Sequence, residues 1–136
     1  MADSERPGEI SSEFPIDMDG RRFDVIGSDC GAVTLETVFQ YSQESNVVWA
    51  RYAGGKIRLG YLVGANRGRE LACGYTQLLV TGEMQTGKTT ATIEELDAER
   101  VRLHETWRSD SPNADPASGR RTLEQERQTS FWQRRV

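Results

Sequence analysis

The chain has 136 residues, of which 36 % are hydrophobic and 28 % charged, and its formal net charge is −4. This length suffices for one domain with one modest core. The negative charge argues against a nucleic-acid-binding protein, which needs a surplus of Lys and Arg on one face. The polar start MADSERPGEISSEF is no secretory signal, and no apolar run approaches the about 20 residues of a membrane helix. We therefore expect a cytoplasmic protein that has neither nucleic acid nor membrane as a partner.

Composition divides the chain into three parts. Residues 1–19 are polar and acidic, which predicts a flexible N-terminal arm. Residues 20–126 carry nearly all of the apolar side chains and predict the single folded domain. Residues 127–136 form a polar extension that contains the apolar pair Phe131 and Trp132. Because such side chains are rarely left exposed without a reason, we expect this pair to dock on the mouth of the folded domain or on a second subunit of a homodimer, and we favour the second subunit.

Turn-forming residues recur every 8 to 12 residues through the folded part and separate stretches rich in β-forming residues. They predict eight strands, at 22–27, 33–42, 47–52, 56–65, 70–80, 84–94, 100–108 and 121–126. Short links make consecutive strands antiparallel, and eight strands can close into a small barrel that holds one ligand. The fold class predicted is all-β, an eight-stranded antiparallel up-and-down barrel.

Alternation along the strands predicts which side chains point inward. In the second, fourth and seventh strands the odd-numbered residues are the more apolar set. We therefore expect Tyr41, Tyr61, Glu105 and Trp107 to face the interior. The third and fifth strands have no clear apolar face.

The stretch Gly82–Thr89, GEMQTGKT, matches the phosphate-binding loop pattern G-x-x-x-x-G-K-[ST]. A working loop delivers its backbone amides into the N terminus of a helix. The residues that follow, TTATIEELD, are instead rich in β-branched side chains that alternate as in a strand. We interpret the match as coincidental, with Gly82 in a hairpin turn and Gly87 inside a strand where a large neighbour crosses. No nucleotide binding and no NTPase activity are expected.

Cys30 and Cys73 are far apart and match no metal or redox spacing. One His and two Cys cannot build a typical structural zinc site. We expect two free thiols, Cys73 buried and Cys30 in a loop, and neither a metal nor another cofactor.

The central sequence resembles a family of small bacterial proteins that are grouped as avidin-like and are often labelled N-acetylglutamate synthase. The resemblance covers about residues 20–126 and rests on four motifs, ETVFQYSQ, VVWARYAGG, GEMQTGK and RLHETW. It implies a short avidin-like or lipocalin-like antiparallel barrel. The family often has His where this chain has Ser42, and YQH where this chain has YTQ at 75–77, so any role of those histidines is absent here.

Glu105 is the strongest candidate for chemistry, because an inward carboxylate between Leu103 and Trp107 would be desolvated and suited to general acid or base work. Tyr41 is the second candidate for proton transfer. The alternative for Glu105 is a structural ion pair, with Arg51 or Arg58 as the expected partner.

A ligand cavity needs aromatic walls and a few orienting polar groups. The candidates for these ligand-binding positions are Phe39, Gln43, Trp49, Tyr61, Tyr75, Gln77 and Trp107. For so small a barrel, the competing interpretation is that the aromatic side chains simply fill the core.

Two functions follow from a barrel of this kind. The first is a binding protein whose cavity takes a small, largely apolar or polyketide-like molecule. The second is a cofactor-independent cyclase or isomerase of bacterial specialised metabolism, in which Glu105 or Tyr41 moves protons. The third alternative is a structural dimer whose barrel is fully packed and binds nothing.

Overall fold

The computed structural model describes residues 16–97, 99–111 and 113–127, and no described residue lies in a helix. The eight strands are β1 (Arg22–Ser28), β2 (Val38–Glu44), β3 (Val47–Gly54), β4 (Ile57–Asn66), β5 (Glu70–Leu79), β6 (Met84–Glu95), β7 (Val101–Ser109) and β8 (Ser118–Gln125). Each strand pairs antiparallel with the next, and β8 pairs with β1, so the sheet closes into a barrel. The predicted fold class is confirmed. Within the described ranges, no helix has the length and apolar character needed to span a membrane.

Two strand boundaries differ from the prediction by three residues or more, while the others agree within two residues. The second strand begins at Val38, five residues later than expected, because the preceding residues form a loop. Thr37 ends this loop, and its hydroxyl donates a hydrogen bond of 3.1 Å to the carbonyl of Gly54 in the neighbouring hairpin. The eighth strand begins at Ser118, within the run of turn-forming residues. The prediction therefore begins the second strand too early and the eighth too late. Local composition assigns apolar residues to strands and turn-forming residues to loops, which is not the case at these two boundaries.

The end of the barrel that carries the β2–β3, β4–β5 and β6–β7 connections is closed by residues from the start of the domain. Met18 is completely buried there. Its amide donates to Gln43 Oε1 at 2.9 Å, and the side-chain amide of Asn66 donates to the carbonyl of Ile16 at 2.7 Å. Residues 16–19, which composition assigned to the arm, therefore pack against the barrel.

The middle of the barrel is filled by aromatic side chains from its first three strands. The rings of Phe39 and Tyr52 stack with their centroids 4.4 Å apart, and Phe23 meets Tyr41 edge-on at 5.3 Å. All four residues are buried. Offset-stacked and edge-on arrangements are the favourable geometries of aromatic pairs, so this group contributes packing beyond its buried area.

The predicted inward faces are confirmed within β2 and β7, whereas Leu35, which belongs to the odd-numbered set of the predicted second strand, is exposed in the loop before β2. Tyr41 is buried on β2, and Glu105 and Trp107 are buried on β7, while the intervening side chains face outward.

The inward face predicted for the fourth strand is wrong. A β-bulge lies between Ile57 and Leu59, where the register against β5 shifts by one residue. Ile57 points inward as expected, but beyond the bulge Gly60 and Leu62 take the inward positions and Tyr61 lies outside. A one-residue shift moves every following side chain to the other face, and alternation alone cannot reveal it.

The phosphate-loop match lies in a β-hairpin. Gly82 has φ +95° in the β5–β6 turn, where its amide donates to the carbonyl of Leu79. Gly87 lies in β6 directly opposite Tyr75, and a Cβ there would overlap the Tyr75 ring. Both roles predicted for the two glycines are confirmed.

Candidate functional site

The opposite end of the barrel is open, and it leads into a cavity of about 760 Å³. Four connections surround this mouth, namely those between β1 and β2, β3 and β4, β5 and β6, and β7 and β8. The lining mixes aromatic, aliphatic and polar side chains, and its main members are Tyr75, Gln77, Met84, Gln85, Trp107 and Arg121. A cavity of this size is in the range of small-molecule sites.

Inward aromatic residues near the mouth lie over glycines on the next strand. Three such cross-strand pairs are present, Tyr52 with Gly60, Tyr75 with Gly87 and Trp107 with Gly119. In each pair a Cβ on the glycine would collide with the aromatic side chain. The missing side chains let the rings lie along the wall, which leaves the centre of this end open.

A chain of hydrogen bonds runs from the core to the rim. The Tyr52 hydroxyl donates to Gln77 Oε1 at 2.7 Å, and Gln77 Nε2 donates to Gln85 Oε1 at 2.9 Å. Gln85 Nε2 then donates to Glu83 Oε2 at 3.3 Å. Burial raises the pKa of Tyr52, so its hydroxyl stays protonated and fixes the direction of the chain. Gln77 is therefore held in one orientation at the cavity wall.

The polar centre of the barrel is an ion pair between Glu105 and Arg121, which are 2 % and 6 % exposed. The two residues are directly opposite each other on β7 and β8, and Arg121 Nε donates to Glu105 Oε1. The guanidinium carbon lies 5.8 Å from the centroid of the Phe39 ring. Arg121 lines the cavity, whereas Glu105 does not.

The ion-pair partner predicted for Glu105 is therefore incorrect. Arg51 and Arg58 are both exposed on the outer surface, on β3 and at the bulge of β4. Sequence reasoning missed Arg121 because β8 contains a single apolar residue, Leu123, to mark its inward face. Arg121 lies two residues before Leu123 and so shares that face, which is the one signal that could have identified it.

Trp107 is held at the mouth by packing. A Cβ on Gly31 would lie 2.7 Å from Trp107 Cζ2, and one on Gly119 would lie 2.8 Å from Trp107 Nε1. The indole therefore fits between two glycines, and Gly31 has φ +97°, which also favours glycine. Trp107 Nε1 is fully buried, and it has no hydrogen-bond partner within the described part of the chain.

The nine candidate residues are distributed over four places. Tyr75, Gln77 and Trp107 line the cavity. Phe39, Tyr41 and Glu105 are buried in the core and do not line it. Gln43 lies at the closed end, where its Oε1 accepts from Met18 and its Nε2 donates to Ser45. Trp49 and Tyr61 lie on the outer face of the barrel.

The outward positions of Trp49 and Tyr61 have different causes. Tyr61 follows the bulge in β4, as described above. On β3 the register places Tyr52 opposite Phe39 and Ala50 opposite Tyr41, so the even-numbered residues point inward. Trp49 is therefore directed outward and is 37 % exposed.

The two cysteines are free thiols, as expected. Cys73 is buried on β5, while Cys30 lies half-buried in the β1–β2 loop and donates to Asp29 Oδ1 at 3.3 Å. Burial raises the pKa of Cys73 to about 12. The described residues contain no group of three or more His, Cys, Asp or Glu side chains that could hold a metal ion.

A search of curated proteins and a search of solved structures each returned no match. The family model described as "Avidin-like protein" matches residues 16–125, which include all eight strands and the residues that close the barrel. An avidin-like barrel with one open end is consistent with small-molecule binding. The matched region covers most of the chain, and the protein therefore belongs to the avidin-like protein family.

Proposed function

We propose that this protein binds one small molecule in the cavity at the open end of its barrel. The observation that carries the proposal is the contrast between the two ends. Met18 and its hydrogen bonds seal one end, while the other leads into a space of about 760 Å³. A barrel that served only as a packed scaffold would fill both ends with side chains.

The lining supports an amphipathic ligand. Trp107, Met84 and Leu79 offer apolar contact area, which suits the ring system or chain of the largely apolar molecule that the sequence led us to expect. Arg121 and Gln77 add fixed polar groups among these apolar surfaces. A ligand with a mostly apolar body and a polar group therefore fits this lining better than a pure hydrocarbon.

The position of the acid–base candidates favours binding over the cyclase or isomerase alternative. Glu105 and Tyr41 are absent from the cavity lining, and Glu105 is paired with Arg121. A general acid or base must come within hydrogen-bond reach of its substrate. Neither residue meets this requirement without a rearrangement of the core.

The proposal is tested with the neutral fluorescent probe N-phenyl-1-naphthylamine and a variant in which the mouth is obstructed. Ala32 lies in the loop at the mouth and lines the cavity, so Ala32→Trp should weaken probe binding at least tenfold. Val63→Trp enlarges an exposed side chain on the outer wall and should leave binding unchanged. Equal binding by the parent and Ala32→Trp would contradict a ligand site at this end.

A further inference from the structure

Arg121 has unused hydrogen-bonding capacity at the cavity. Its Nε donates to Glu105, and its two Nη atoms have no hydrogen-bond partner among the described residues. Arg121 lines the cavity, so these Nη groups are available to a molecule that binds there. A guanidinium has five N–H donors and no acceptor, and leaving such donors unpaired away from bulk water is unfavourable.

The other polar groups at this depth keep N–H or O–H donors that have no partner among the described residues. Gln77 Oε1 accepts from Tyr52, and Gln85 Oε1 accepts from Gln77. Tyr75 lines the cavity and its hydroxyl has no hydrogen-bond partner among the described residues. Burial raises the pKa of Tyr75, with the charge of Arg121 opposing this shift, so its hydroxyl remains a donor at neutral pH.

The carboxylates near this donor group lie either behind it or at the rim of the cavity. Glu105 is screened from the cavity by Arg121, while Glu83 and Asp115 are exposed in the loops that form the rim. A molecule that has passed the rim therefore meets a cation and a phenol in the depth of the cavity, and the carboxylate of Glu105 lies behind the cation. Arg121 is itself held in place by Glu105 and by the Phe39 ring beneath it.

We propose that the ligand of this cavity carries an anionic oxygen group, such as a carboxylate, enolate or sulfonate, and that Arg121 binds this group with Tyr75 beside it. Glu105 is the positioning residue that fixes the guanidinium. This inference rests on the proposed function and specifies the chemistry of the ligand. Charge-assisted hydrogen bonds from a preorganised guanidinium are among the strongest that a protein can offer to such a group.

The test compares two probes that share one aromatic body. The anionic probe is 8-anilinonaphthalene-1-sulfonate, and the neutral probe is N-phenyl-1-naphthylamine. The parent should bind the anionic probe more tightly. Replacing both members of the pair, Glu105→Gln with Arg121→Gln, leaves the net charge of the protein unchanged and strands no buried charge. This double variant should bind the sulfonate about ten- to a hundredfold more weakly, with the neutral probe unaffected within about twofold.

Three further variants sharpen the result. Glu105→Gln alone keeps the cation and removes its competing carboxylate, so it should bind the sulfonate more tightly than the parent does. Lys56→Gln removes another cation at the rim, and Arg58→Gln removes one on the outer surface, so both should preserve the preference for the anion. Thermal melts establish that each variant is folded at the assay temperature.

The outcomes separate the two proposals. If the neutral probe binds but the double variant keeps the same preference for the sulfonate, Arg121 is not the anion site and the inference is overturned. Loss of the preference in Lys56→Gln alone would overturn it equally. If neither probe binds the parent, the proposed function fails and this inference fails with it.

Discussion

The two members of the buried ion pair have unequal surroundings. Arg121 borders the open cavity, so its outer N–H groups can be hydrated, whereas Glu105 lies behind it in the core. A buried charge that loses its partner is costly because no other group compensates the lost hydration. The carboxylate therefore depends on the guanidinium more than the guanidinium depends on the carboxylate.

This asymmetry predicts the effect of single substitutions on stability. Arg121→Gln should lower the free energy of unfolding by about 3–5 kcal/mol at neutral pH, since it strands the Glu105 carboxylate. Glu105→Gln should cost clearly less, because its amide oxygen can still accept from Arg121 Nε and water can reach the remaining donors. Urea denaturation of both single variants and the double variant measures these values. A larger loss for Glu105→Gln would contradict the asymmetry and would place the solvent-accessible side of the pair at Glu105.

The two thiols are predicted to react at very different rates. With a pKa of about 12, Cys73 exists as thiolate in roughly one part in ten thousand at pH 8, and it is also sterically protected. The pKa of Cys30 is raised as well, by burial and by Asp29, but Cys30 is half-buried in a loop. Raising the pH increases both rates, because only the thiolate reacts.

Iodoacetamide labelling of the native protein between pH 7 and 9, followed by peptide mass spectrometry, checks this difference. Cys30 should be modified first at every pH, and the two sites should be modified alike in denaturing urea. Modification of Cys73 at the rate of Cys30 in the native protein would show that the barrel wall opens at β5.

At the level of the elements, large side chains on one strand require glycine at the position directly opposite on the neighbouring strand. Gly87 illustrates this, because its place in β6 opposite Tyr75 leaves no room for a Cβ. The same Cβ would also overlap the carbonyl oxygen of Arg108 on the other neighbouring strand. Gly74 on β5 differs, since a Cβ there would come no closer than 3.7 Å to the carbonyl of Gly87.

The contrast between these two glycines is a matched test of the packing. Gly87→Ala should lower the free energy of unfolding by about 1–3 kcal/mol, because the added methyl forces Tyr75 or the backbone to move. Gly74→Ala should change it by less than about 0.5 kcal/mol, as is usual for substitutions without a collision. Thermal or urea denaturation of both variants decides, and equal effects would mean that Tyr75 does not constrain residue 87.

For the whole molecule, the outer wall offers a surface that the barrel itself does not need. Val47, Trp49, Tyr61 and Val63 are all exposed, and Trp49 lies directly opposite Val63 across β3 and β4. Contiguous exposed apolar side chains of this kind mark interaction surfaces. Phe131 and Trp132, which the sequence led us to assign to docking, lie outside the described residues.

The homodimer expected from the sequence remains a prediction, and this wall is the surface on which we expect it to form. Two copies related by a two-fold axis would bury the same patch on both subunits. Sedimentation velocity should give a dimer for the parent and a monomer for Trp49→Arg. Val80→Arg, which changes an exposed apolar residue near the mouth, is the control and should remain dimeric. A monomeric parent would refute the expected assembly.

Much of the fold could be predicted because its signals are local. Short runs of Gly, Asn, Ser and Asp mark the turns that separate the strands. The apolar alternation in β2 and β7 identifies Tyr41 and Glu105 as inward-facing residues. The same local chemistry excluded a phosphate loop at Gly82–Thr89, since β-branched residues follow it. The sequence by itself therefore determined the fold class, the order of the strands and the inward faces of β2 and β7.

The site depended on the tertiary structure, because it arises from relations between distant strands. The bulge at Ile57–Leu59 reverses the faces of β4 beyond it and places Tyr61 on the outside. No residue type in that stretch indicates that a bulge is present. The partner of Glu105 is set by the register of β7 against β8, which brings Arg121 to it across a loop. Register and closure are decided by how all eight strands fit together, so only the closed barrel places Arg121 at the cavity and Glu105 behind it.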